Sequence, residues 1–267
     1  MREISELVAT LRAAGRTLLG FSGGVDSSLL AVAGRQALGR EDFVAVVGRS
    51  ASYPEVQYAR AREIAGRFDV PLLEIETHEL DDPRYLANPT NRCYFCKSEL
   101  WTRLQDVARD RGFAAIIDGT NADDLGEHRP GLAAAAELEV RSPLAQLGWT
   151  KDDVRDAARM LGIPLWDAPA SPCLSSRVRY GLEITPERLR QVEEGEAFLR
   201  SLGVGGDLRV RHLGDSARIE AVPAEMPVVE RAWHRVTAFF EALGFRAVEL
   251  DPRGYRRGSL LVLDRPG

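Results

Sequence analysis

The stretch GFSGGVDSSLL at residues 20–30 constrains the fold of this chain more than any other stretch of the sequence. It overlaps the end of the apolar run TLLGF at 17–21. An apolar run that passes through glycine and serine into a helical pattern predicts a strand, a tight loop and a helix. Gly23 and Gly24 allow the backbone to turn with positive φ and to approach a ligand closely. Backbone amides at the start of the helix then point at an anion, so the stretch predicts a phosphate-binding loop. A tight turn with a serine or aspartate cap is the plainer alternative.

The side chains of this loop also fit phosphate chemistry. A carboxylate such as Asp26 would repel a bare phosphate, and its presence makes sense when a Mg²⁺ ion lies between the two. The loop lacks the lysine of GxxxxGK[ST] and is therefore not a Walker A loop. Serine hydroxyls supply further donors, and the residues that we expect to contact the phosphorylated ligand are Phe21, Ser22, Gly23, Gly24, Val25, Asp26, Ser27 and Ser28.

Strand-like and helix-like segments alternate over the first two thirds of the chain. Buried strands joined by helices form a parallel sheet that is covered on both faces, so we expect a doubly wound α/β fold. The predicted strands lie at 17–21, 43–48, 71–77 and 114–120, and the predicted helices at 26–38, 54–68 and 97–111.

The pattern changes after about residue 165. The segment LWDAPASPCLSSRVRYG has no clear period, which is typical of a functional loop or a linker. Thr185 and Pro186 then predict the N-cap and the first position of a helix. LRVRHLG and ARIEAV predict a hairpin, 224–243 another helix, and AVEL and SLLVL two closing strands. The predicted organisation is one domain at 1–165, an irregular cysteine-bearing linker at 166–182 and a smaller α+β domain at 183–267.

A second polar stretch, DGTNADDLGEHRPG at 118–131, follows the fourth predicted strand. Since the carboxyl ends of parallel strands meet at one edge of a sheet, we expect it to lie beside the first loop. A solvated acidic loop is the alternative. The candidate ligand contacts are Gly119, Thr120 and Asn121 for phosphate or ribose, Arg129 for phosphate charge, and Asp124 (or Asp123) together with Asp26 for magnesium.

Cys93 and Cys96 lie in NRCYFCK, and the third cysteine of the chain, Cys173, lies in SPCLSSR. A redox pair normally lies at a helix N-terminus, and the first two cysteines, directly before a predicted helix, fit that position. A zinc site would need a fourth ligand, for which His128 and His212 are candidates without a compelling spacing. Buried apolar thiols are the ordinary case. The residues alone leave these alternatives open.

Composition and charge argue against several classes of protein. With 45% hydrophobic and 28% charged residues among 267, the chain has the balance of a globular protein. No apolar run approaches the ~20 residues that span a membrane, and the N-terminus lacks a secretory pattern, so we expect a cytoplasmic protein with no membrane partner. Thiols stay reduced in the cytoplasm, which argues against a disulfide framework. The net charge of −5 argues against a nucleic-acid partner.

SGGVDS resembles the PP-loop of the ATP pyrophosphatases, whose fold is adenine nucleotide alpha-hydrolase-like and whose loop holds the pyrophosphate end of ATP. The resemblance implies ATP and Mg²⁺ as cofactors. The chain is also similar over nearly its whole length to the LarE family of sulfur transferases, which make the nickel-pincer nucleotide of lactate racemase. The motifs that carry this similarity occur in the family's order: RCYFCK, DGTNADD, RPG, VRSPL, PLWDAPASPCLSSR, YGLEIT, RVRH and ARIE.

The resemblance to LarE implies a reaction and a sulfur source. LarE-like proteins adenylylate a carboxylate of pyridinium-3,5-biscarboxylic acid mononucleotide, and sulfur then displaces AMP to leave a thiocarboxylate. Members with three cysteines hold a [4Fe–4S] cluster, which the resemblance assigns here to Cys93, Cys96 and Cys173 as catalytic residues and iron ligands. Members with one cysteine give up its own sulfur, so a sacrificial Cys173 is the alternative. The resemblance further implies a small nucleotide substrate, a sulfide source or cysteine desulfurase-type donor, and a homo-oligomer, specifically a hexamer.

Arginines near Cys173 and on a predicted strand fit an anionic substrate. Arg209 and Arg211 alternate in LRVRH, so their side chains share one side of the strand. Two guanidinium groups on one face suit a phosphate or a carboxylate, whereas a solvated strand face is the plain alternative. The resemblance suggests that substrate is bound by Arg177, Arg209, Arg211 and Glu220.

Other function classes stay open at this point: a tRNA-thiolating PP-loop enzyme, an ammonia-using PP-loop synthetase and a non-catalytic nucleotide sensor. An RNA-binding enzyme usually has a basic face, which the net charge of −5 does not favour. An ammonia-using synthetase has no need of the cysteines. A sensor needs neither Cys173 nor the arginines.

Overall fold

The computed structural model describes residues 2–126, 130–169, 172–256 and 258–260. Within it the chain divides into two compact units. The first consists of Met1–Glu79 and Asn91–Ala168, and the second of Leu80–Thr90 and Pro169–Gly267. No hydrophobic pattern in the sequence predicts that a segment between the third strand and the next helix belongs with the C-terminal residues. The domain limits at 165 and 183 stay predictions.

Strands and helices occur in both units. In chain order the strands are β1 (Thr17–Gly20), β2 (Phe43–Arg49), β3 (Leu72–Glu76), β4 (Ala115–Ile117), β5 (Leu208–His212), β6 (Ser216–Ala221) and β7 (Ala247–Leu250). The helices are α1 (Ile4–Ala14), α2 (Val25–Leu38), α3 (Glu55–Arg67), α4 (Pro83–Leu86), α5 (Arg92–Arg111), α6 (Pro130–Glu137), α7 (Pro143–Gln146), α8 (Lys151–Met160), α9 (Pro186–Ser201), α10 (Met226–Arg231) and α11 (Trp233–Ala242). Over the described ranges, none of the helices combines the length and the apolarity that crossing a membrane requires.

The first unit is built around a parallel sheet of four strands in the order β3-β2-β1-β4. β1 pairs with β2 and β4, so that Gly20 lies opposite Val46 and Leu19 lies opposite Ile117. Successive side chains of a strand point to opposite faces of the sheet. Leu19 joins a core formed with α1, α2 and α8, and Leu18 joins a second core formed with α5 and α6. The predicted doubly wound α/β fold is confirmed.

Helix α5 begins earlier than the sequence predicts. The predicted start at Lys97 is wrong, because the helix begins at Arg92 and includes Cys93 and Cys96 in its first two turns. RCYFCK contains neither glycine nor proline, so no residue in it prevents helical backbone. The two cysteines are therefore residues of the helix and not of the loop before it.

The second unit contains a sheet of three strands in the order β5-β6-β7. β5 and β6 pair antiparallel, as the predicted hairpin requires, and β7 pairs parallel to β6. Buried side chains of α9 and α11, such as Leu199 and Phe240, form a core with the sheet. The predicted helix start is also confirmed, since Thr185 accepts a hydrogen bond from the Arg188 N–H and Pro186 is the first residue of α9.

Two expectations for the C-terminal region are wrong. The single helix predicted at 224–243 is interrupted at Ala232, whose φ of −97° and ψ of 11° leave helical geometry between α10 and α11. Ser259 and Leu260, predicted to begin a strand, have helical backbone instead, and the rest of SLLVL lies outside the described residues.

Candidate active site

The loop between β1 and α2 makes a close turn at Gly23. The φ of this glycine is +69°, and a Cβ there would come within 2.7 Å of the Gln57 carbonyl oxygen. The start of α3 therefore packs directly on the turn. Tyr53 donates a hydrogen bond of 3.1 Å to the Ser22 carbonyl oxygen, which ties the residues before α3 to the same turn. These contacts hold the loop backbone in place from one side.

Ser27 organises the loop from within. Its hydroxyl donates to the Gly24 carbonyl oxygen at 3.1 Å, accepts from the Ser22 N–H at 3.3 Å and lies 3.0 Å from the Ser22 hydroxyl. Ser22 and Ser27 are therefore already hydrogen-bonded to each other before a ligand binds to the loop. Four of the residues predicted to contact a ligand in this loop have buried side chains: Phe21, Val25, Ser27 and Ser28.

The loop after β4 crosses the start of α2. A Cβ on Gly119 would come within 2.9 Å of the Ser27 backbone nitrogen, so this approach requires glycine. Asn121 Nδ2 donates to Asp26 Oδ1 at 3.0 Å, and Asn121 Oδ1 accepts from the Asp124 N–H at 3.3 Å. The two polar loops that the sequence predicts at one sheet edge are thus in contact.

Asp118, which no sequence pattern singles out, shapes this second loop. Its carboxylate accepts hydrogen bonds from the Thr120 N–H at 3.1 Å, the Thr120 hydroxyl at 2.8 Å and the Ser142 hydroxyl at 2.7 Å. A buried carboxylate therefore holds both the backbone and the hydroxyl of the predicted contact residue Thr120. The sequence offers one signal for Asp118, which is the first residue of the polar stretch DGTNADDLGEHRPG.

Lys151 also belongs to this site and was missed by the sequence reasoning. Its Nζ lies 2.5 Å from Asp26 Oδ2, and its N–H donates to Asp123 Oδ2 at 2.8 Å. Lys151 is the first residue of α8, whose N-cap Thr150 forms a capping box with Asp153. A positive charge in the first turn of a helix interacts unfavourably with the helix dipole. This unfavourable placement is the one sign in the sequence that Lys151 has a role outside its own helix.

The two oxygens of Asp26 face different partners, the Asn121 amide and the Lys151 ammonium. Carboxylates are ligands that Mg²⁺ prefers, so Asp26 and Asp124 fit this ion by the chemistry of their donors. Arg129 and the zinc candidate His128 lie outside the described residues. Across the ranges that the structure describes, no three His, Cys, Asp or Glu side chains form a group that could hold a metal ion. The magnesium assignment stays a prediction.

All three cysteines are thiols in this structure. Cys93 and Cys96 are three residues apart on α5, which places their side chains on one face of the helix. Cys93 is exposed, and Cys96 and Cys173 are half-buried. Cys173 belongs to the second unit, whereas the other two belong to the first. The convergence of the three thiols on one cluster stays a prediction.

The backbone of Cys173 is held by the residues that follow it. Its carbonyl oxygen accepts from the Ser176 N–H at 3.0 Å, the Ser176 hydroxyl at 2.7 Å and Arg177 Nη1 at 2.8 Å. Arg177 is 2% exposed and forms an ion pair of 2.9 Å with Glu196 of α9. Arg177 thus fixes the cysteine segment against a helix of the same unit.

Residues from the middle of the chain hold the same segment. Asn88 Nδ2 donates to the carbonyl oxygens of Arg179 at 2.8 Å and Leu182 at 2.9 Å. The φ of Asn88 is +51°, a left-handed conformation that asparagine tolerates better than most residues. The buried hydroxyls of Tyr85 and Ser175 lie 2.5 Å apart. The stretch before NRCYFCK is therefore a structural support of the Cys173 segment.

Arg209 and Arg211 are 4% and 6% exposed, so the alternative of a solvated strand face is wrong. Both lie on β5, and Arg209 is paired in register with Glu220 of β6. Arg211 forms a two-point ion pair with one oxygen of that glutamate, at 2.9 Å from Nε and 2.8 Å from Nη2. Glu220 is fully buried.

A buried basic cluster in the second unit consists of three arginines: Arg177, Arg209 and Arg211. Burial lowers the pKa of Arg209, and the neighbouring Arg177 lowers it further. Glu196 and Glu220 form close ion pairs with the other two guanidinium groups, whereas Asp207 approaches Arg209 only to 4.0 Å. Guanidinium groups gathered in this way suit an anionic group of a ligand, such as a phosphate or a carboxylate.

Comparison with known proteins finds relatives along nearly the whole chain. The family model described as NAD synthase matches residues 2–90. The chain is 43% identical to an uncharacterised protein of Synechocystis over 92% of this chain and 91% of that protein. It is 35% identical to the pyridinium-3,5-bisthiocarboxylic acid mononucleotide synthase of Lactiplantibacillus plantarum, over 95% of this chain and 92% of that protein. An uncharacterised protein of Methanocaldococcus jannaschii is 29% identical over 90% of this chain and 91% of that protein.

Proposed function

The chain belongs to the LarE family of the PP-loop ATP pyrophosphatases and is an ATP-using enzyme that inserts sulfur, and on that premise we propose that its substrate is pyridinium-3,5-biscarboxylic acid mononucleotide. The enzyme adenylylates a carboxylate of this nucleotide and replaces AMP by sulfur, which yields a thiocarboxylate for nickel-pincer nucleotide synthesis. One observation carries the proposal: Arg177, a member of the buried basic cluster, binds the backbone of Cys173. A thiol and a site for an anionic substrate therefore belong to one unit.

Adenylylation requires a loop that holds ATP while a carboxylate attacks it. A carboxylate oxygen of the substrate attacks the α-phosphorus, the bond to the bridging oxygen breaks and pyrophosphate leaves. The amides of the loop before α2 bind phosphate oxygens. Asp26 and Asp124 would hold Mg²⁺, which neutralises phosphate charge when bound. The Lys151 ammonium, beside Asp26, supplies a further positive charge.

Sulfur insertion requires an acceptor that is fixed close to a nucleophile. Sulfur attacks the acyl carbon of the adenylate, the bond from that carbon to the phosphate oxygen breaks, and AMP leaves with the electron pair. Arg209 and Arg211 bind the phosphate or a carboxylate of the substrate, while Glu220 orients Arg211. Arg177 keeps the Cys173 backbone in place.

The sulfur itself would be carried by a [4Fe–4S] cluster on Cys93, Cys96 and Cys173. Thiolates are the ligands that such clusters use, and a cluster held by these three cysteines would supply sulfide as the sulfur to be transferred. A sulfide source or a cysteine desulfurase-type donor would renew that sulfide. The alternative is a sacrificial Cys173 that gives up its own sulfur. We place the enzyme in the cytoplasm, where thiols stay reduced, and propose a homo-oligomer, by resemblance a hexamer.

Anaerobic purification, followed by iron and sulfide analysis and by counting thiocarboxylates per chain, tests this proposal. With a cluster we expect about four irons per chain, loss of iron in Cys93→Ser, and repeated turnover with added sulfide. One sulfur per chain with a mass loss at Cys173 would establish the sacrificial route instead. AMP release that depends on tRNA would contradict the proposed substrate.

A further inference from the structure

Ser50, Ser52 and Glu79 form a polar cluster in the first unit, apart from the residues assigned to phosphate, metal or sulfur; Ser50 is half-buried. Glu79 is 2% exposed and Ser52 is 3% exposed. Glu79 Oε1 accepts hydrogen bonds from the Ser50 hydroxyl at 2.5 Å and the Ser52 hydroxyl at 2.6 Å. These two donors fix the orientation of the carboxylate.

The second oxygen, Glu79 Oε2, is buried and has no hydrogen-bond partner within the described part of the chain. A buried carboxylate oxygen without a donor is unfavourable, because it has lost its water without a replacement. A ligand that brings a donor to this place would satisfy it. A phosphate would not, because two anionic groups repel each other.

The cluster lies at the sheet edge to which the phosphate loop also belongs. Ser50 directly follows β2, and Glu79 follows β3 by three residues, while both strands run parallel to β1. Tyr53, next to Ser52, donates to the Ser22 carbonyl oxygen of the phosphate loop. β3 is two strand spacings, about 10 Å, from β1. A nucleoside triphosphate covers such a span between its phosphates and its base.

We propose that Glu79 Oε2 accepts a hydrogen bond from the exocyclic amine of the adenine ring, and that this contact makes the enzyme select a 6-aminopurine nucleotide. The inference rests on the proposed binding of ATP at the phosphate loop. A 6-oxopurine presents an acceptor where adenine presents a donor. A buried carboxylate rejects such a base, because the hydrogen bond is lost and two acceptors face each other.

The Glu79→Gln variant provides a directional test. The Ser50 and Ser52 hydroxyls donate toward the new side chain and keep its amide oxygen on their side, so its NH₂ group faces the base and donates to a 6-oxo group. The measurement is pyrophosphate release with ATP and with inosine triphosphate, at saturating Mg²⁺ and substrate. We expect the wild-type enzyme to favour ATP in kcat/KM by about 10- to 100-fold, and the variant to bring the ratio to about one or below.

Glu76→Gln is the matched control, because Glu76 is exposed and its loss removes the same charge from the end of β3. We expect the Glu76→Gln enzyme to keep the wild-type ratio of kcat/KM for ATP to kcat/KM for inosine triphosphate. A folded Glu79→Gln enzyme with the wild-type ratio would overturn the inference, since a carboxylate that only supports two serines affects both nucleotides alike. If Glu79→Gln does not fold, Glu79→Ala replaces it, because it removes the proposed acceptor altogether, and an unchanged ratio there has the same meaning. A wild-type enzyme that releases pyrophosphate from neither nucleotide contradicts the proposed function instead.

Discussion

Lys151 Nζ and Asp26 Oδ2 lie 2.5 Å apart, although 125 positions separate the two residues in the chain. The contact joins the first residue of α8 to the first turn of α2, where the proposed phosphate loop ends. The side chains are 33% and 19% exposed, so water screens the ion pair only in part. Lys151 therefore lies in the proposed ATP-binding site, in direct contact with a residue of the phosphate-binding loop.

The Lys151→Ala variant should lose adenylylation while keeping its fold. Removal of a fixed positive charge beside the phosphates lowers pyrophosphate release by about 100-fold or more, the usual effect of losing one preorganised donor. Asp152→Asn is the control, because it changes a charge at the next position on an exposed side chain. An unchanged rate in Lys151→Ala would remove this residue from the activation step.

Loss of Glu220 should destabilise the second unit. Glu220→Ala leaves Arg211 buried without its two-point partner, and we expect the free energy of unfolding to fall by about 3–5 kcal/mol in urea titrations. Asp215→Ala breaks the exposed 3.0 Å pair with Arg246 and should cost less than about 1 kcal/mol. Equal effects of the two substitutions would contradict the assigned role of burial.

Asn88→Asp tests the support of the cysteine segment. Aspartate keeps the size of the side chain and tolerates positive φ, but it replaces the two amide donors by an acceptor that faces carbonyl oxygens. Thiocarboxylate formation should fall at least about tenfold more than pyrophosphate release, because only the sulfur step needs the Cys173 segment. Asn91→Asp, at an exposed position before α5, keeps the wild-type ratio. A parallel fall of both products in Asn88→Asp would show general unfolding.

His212 should make stability depend on pH. Burial, assisted by Arg188, lowers the pKa of His212 from 6.5 to about 4, although Asp215 acts in the opposite direction. Between these values the unfolded chain binds a proton that the folded chain does not, so the free energy of unfolding falls as the pH decreases from 6.5 to 4. His212 lowers the free energy of unfolding by up to about 3 kcal/mol over this range and does not lower it above pH 6.5.

Urea unfolding of wild type and His212→Gln between pH 4 and 7 measures this contribution. The variant should lose stability less steeply than wild type below pH 6.5, whereas His234→Gln, at an exposed position, keeps the wild-type slope. Identical slopes for all three proteins would show that carboxylates alone produce the acid sensitivity.

Local sequence patterns determined the parts of the fold in which neighbouring residues decide the outcome. A strand, two glycines and a helix follow one another in TLLGFSGGVDSS, because the backbone freedom of glycine and the apolar periodicity act within a few residues. Thr185 and Pro186 start α9 for the same reason. The alternation of Arg209 and Arg211 placed both on one side of β5, although it left their burial open.

Tertiary structure alone decided which distant residues meet. Lys151 reaches Asp26, and Asn88 supports the Cys173 segment, through packing between elements that no local periodicity records. The same holds for burial: Arg209 and Arg211 lie beside a glutamate and another arginine instead of water, because folding brings Glu220 of β6 and Arg177 next to them. The proposed chemistry depends on these long-range contacts, since a charge acts more strongly on a substrate where folding has removed part of the competing water.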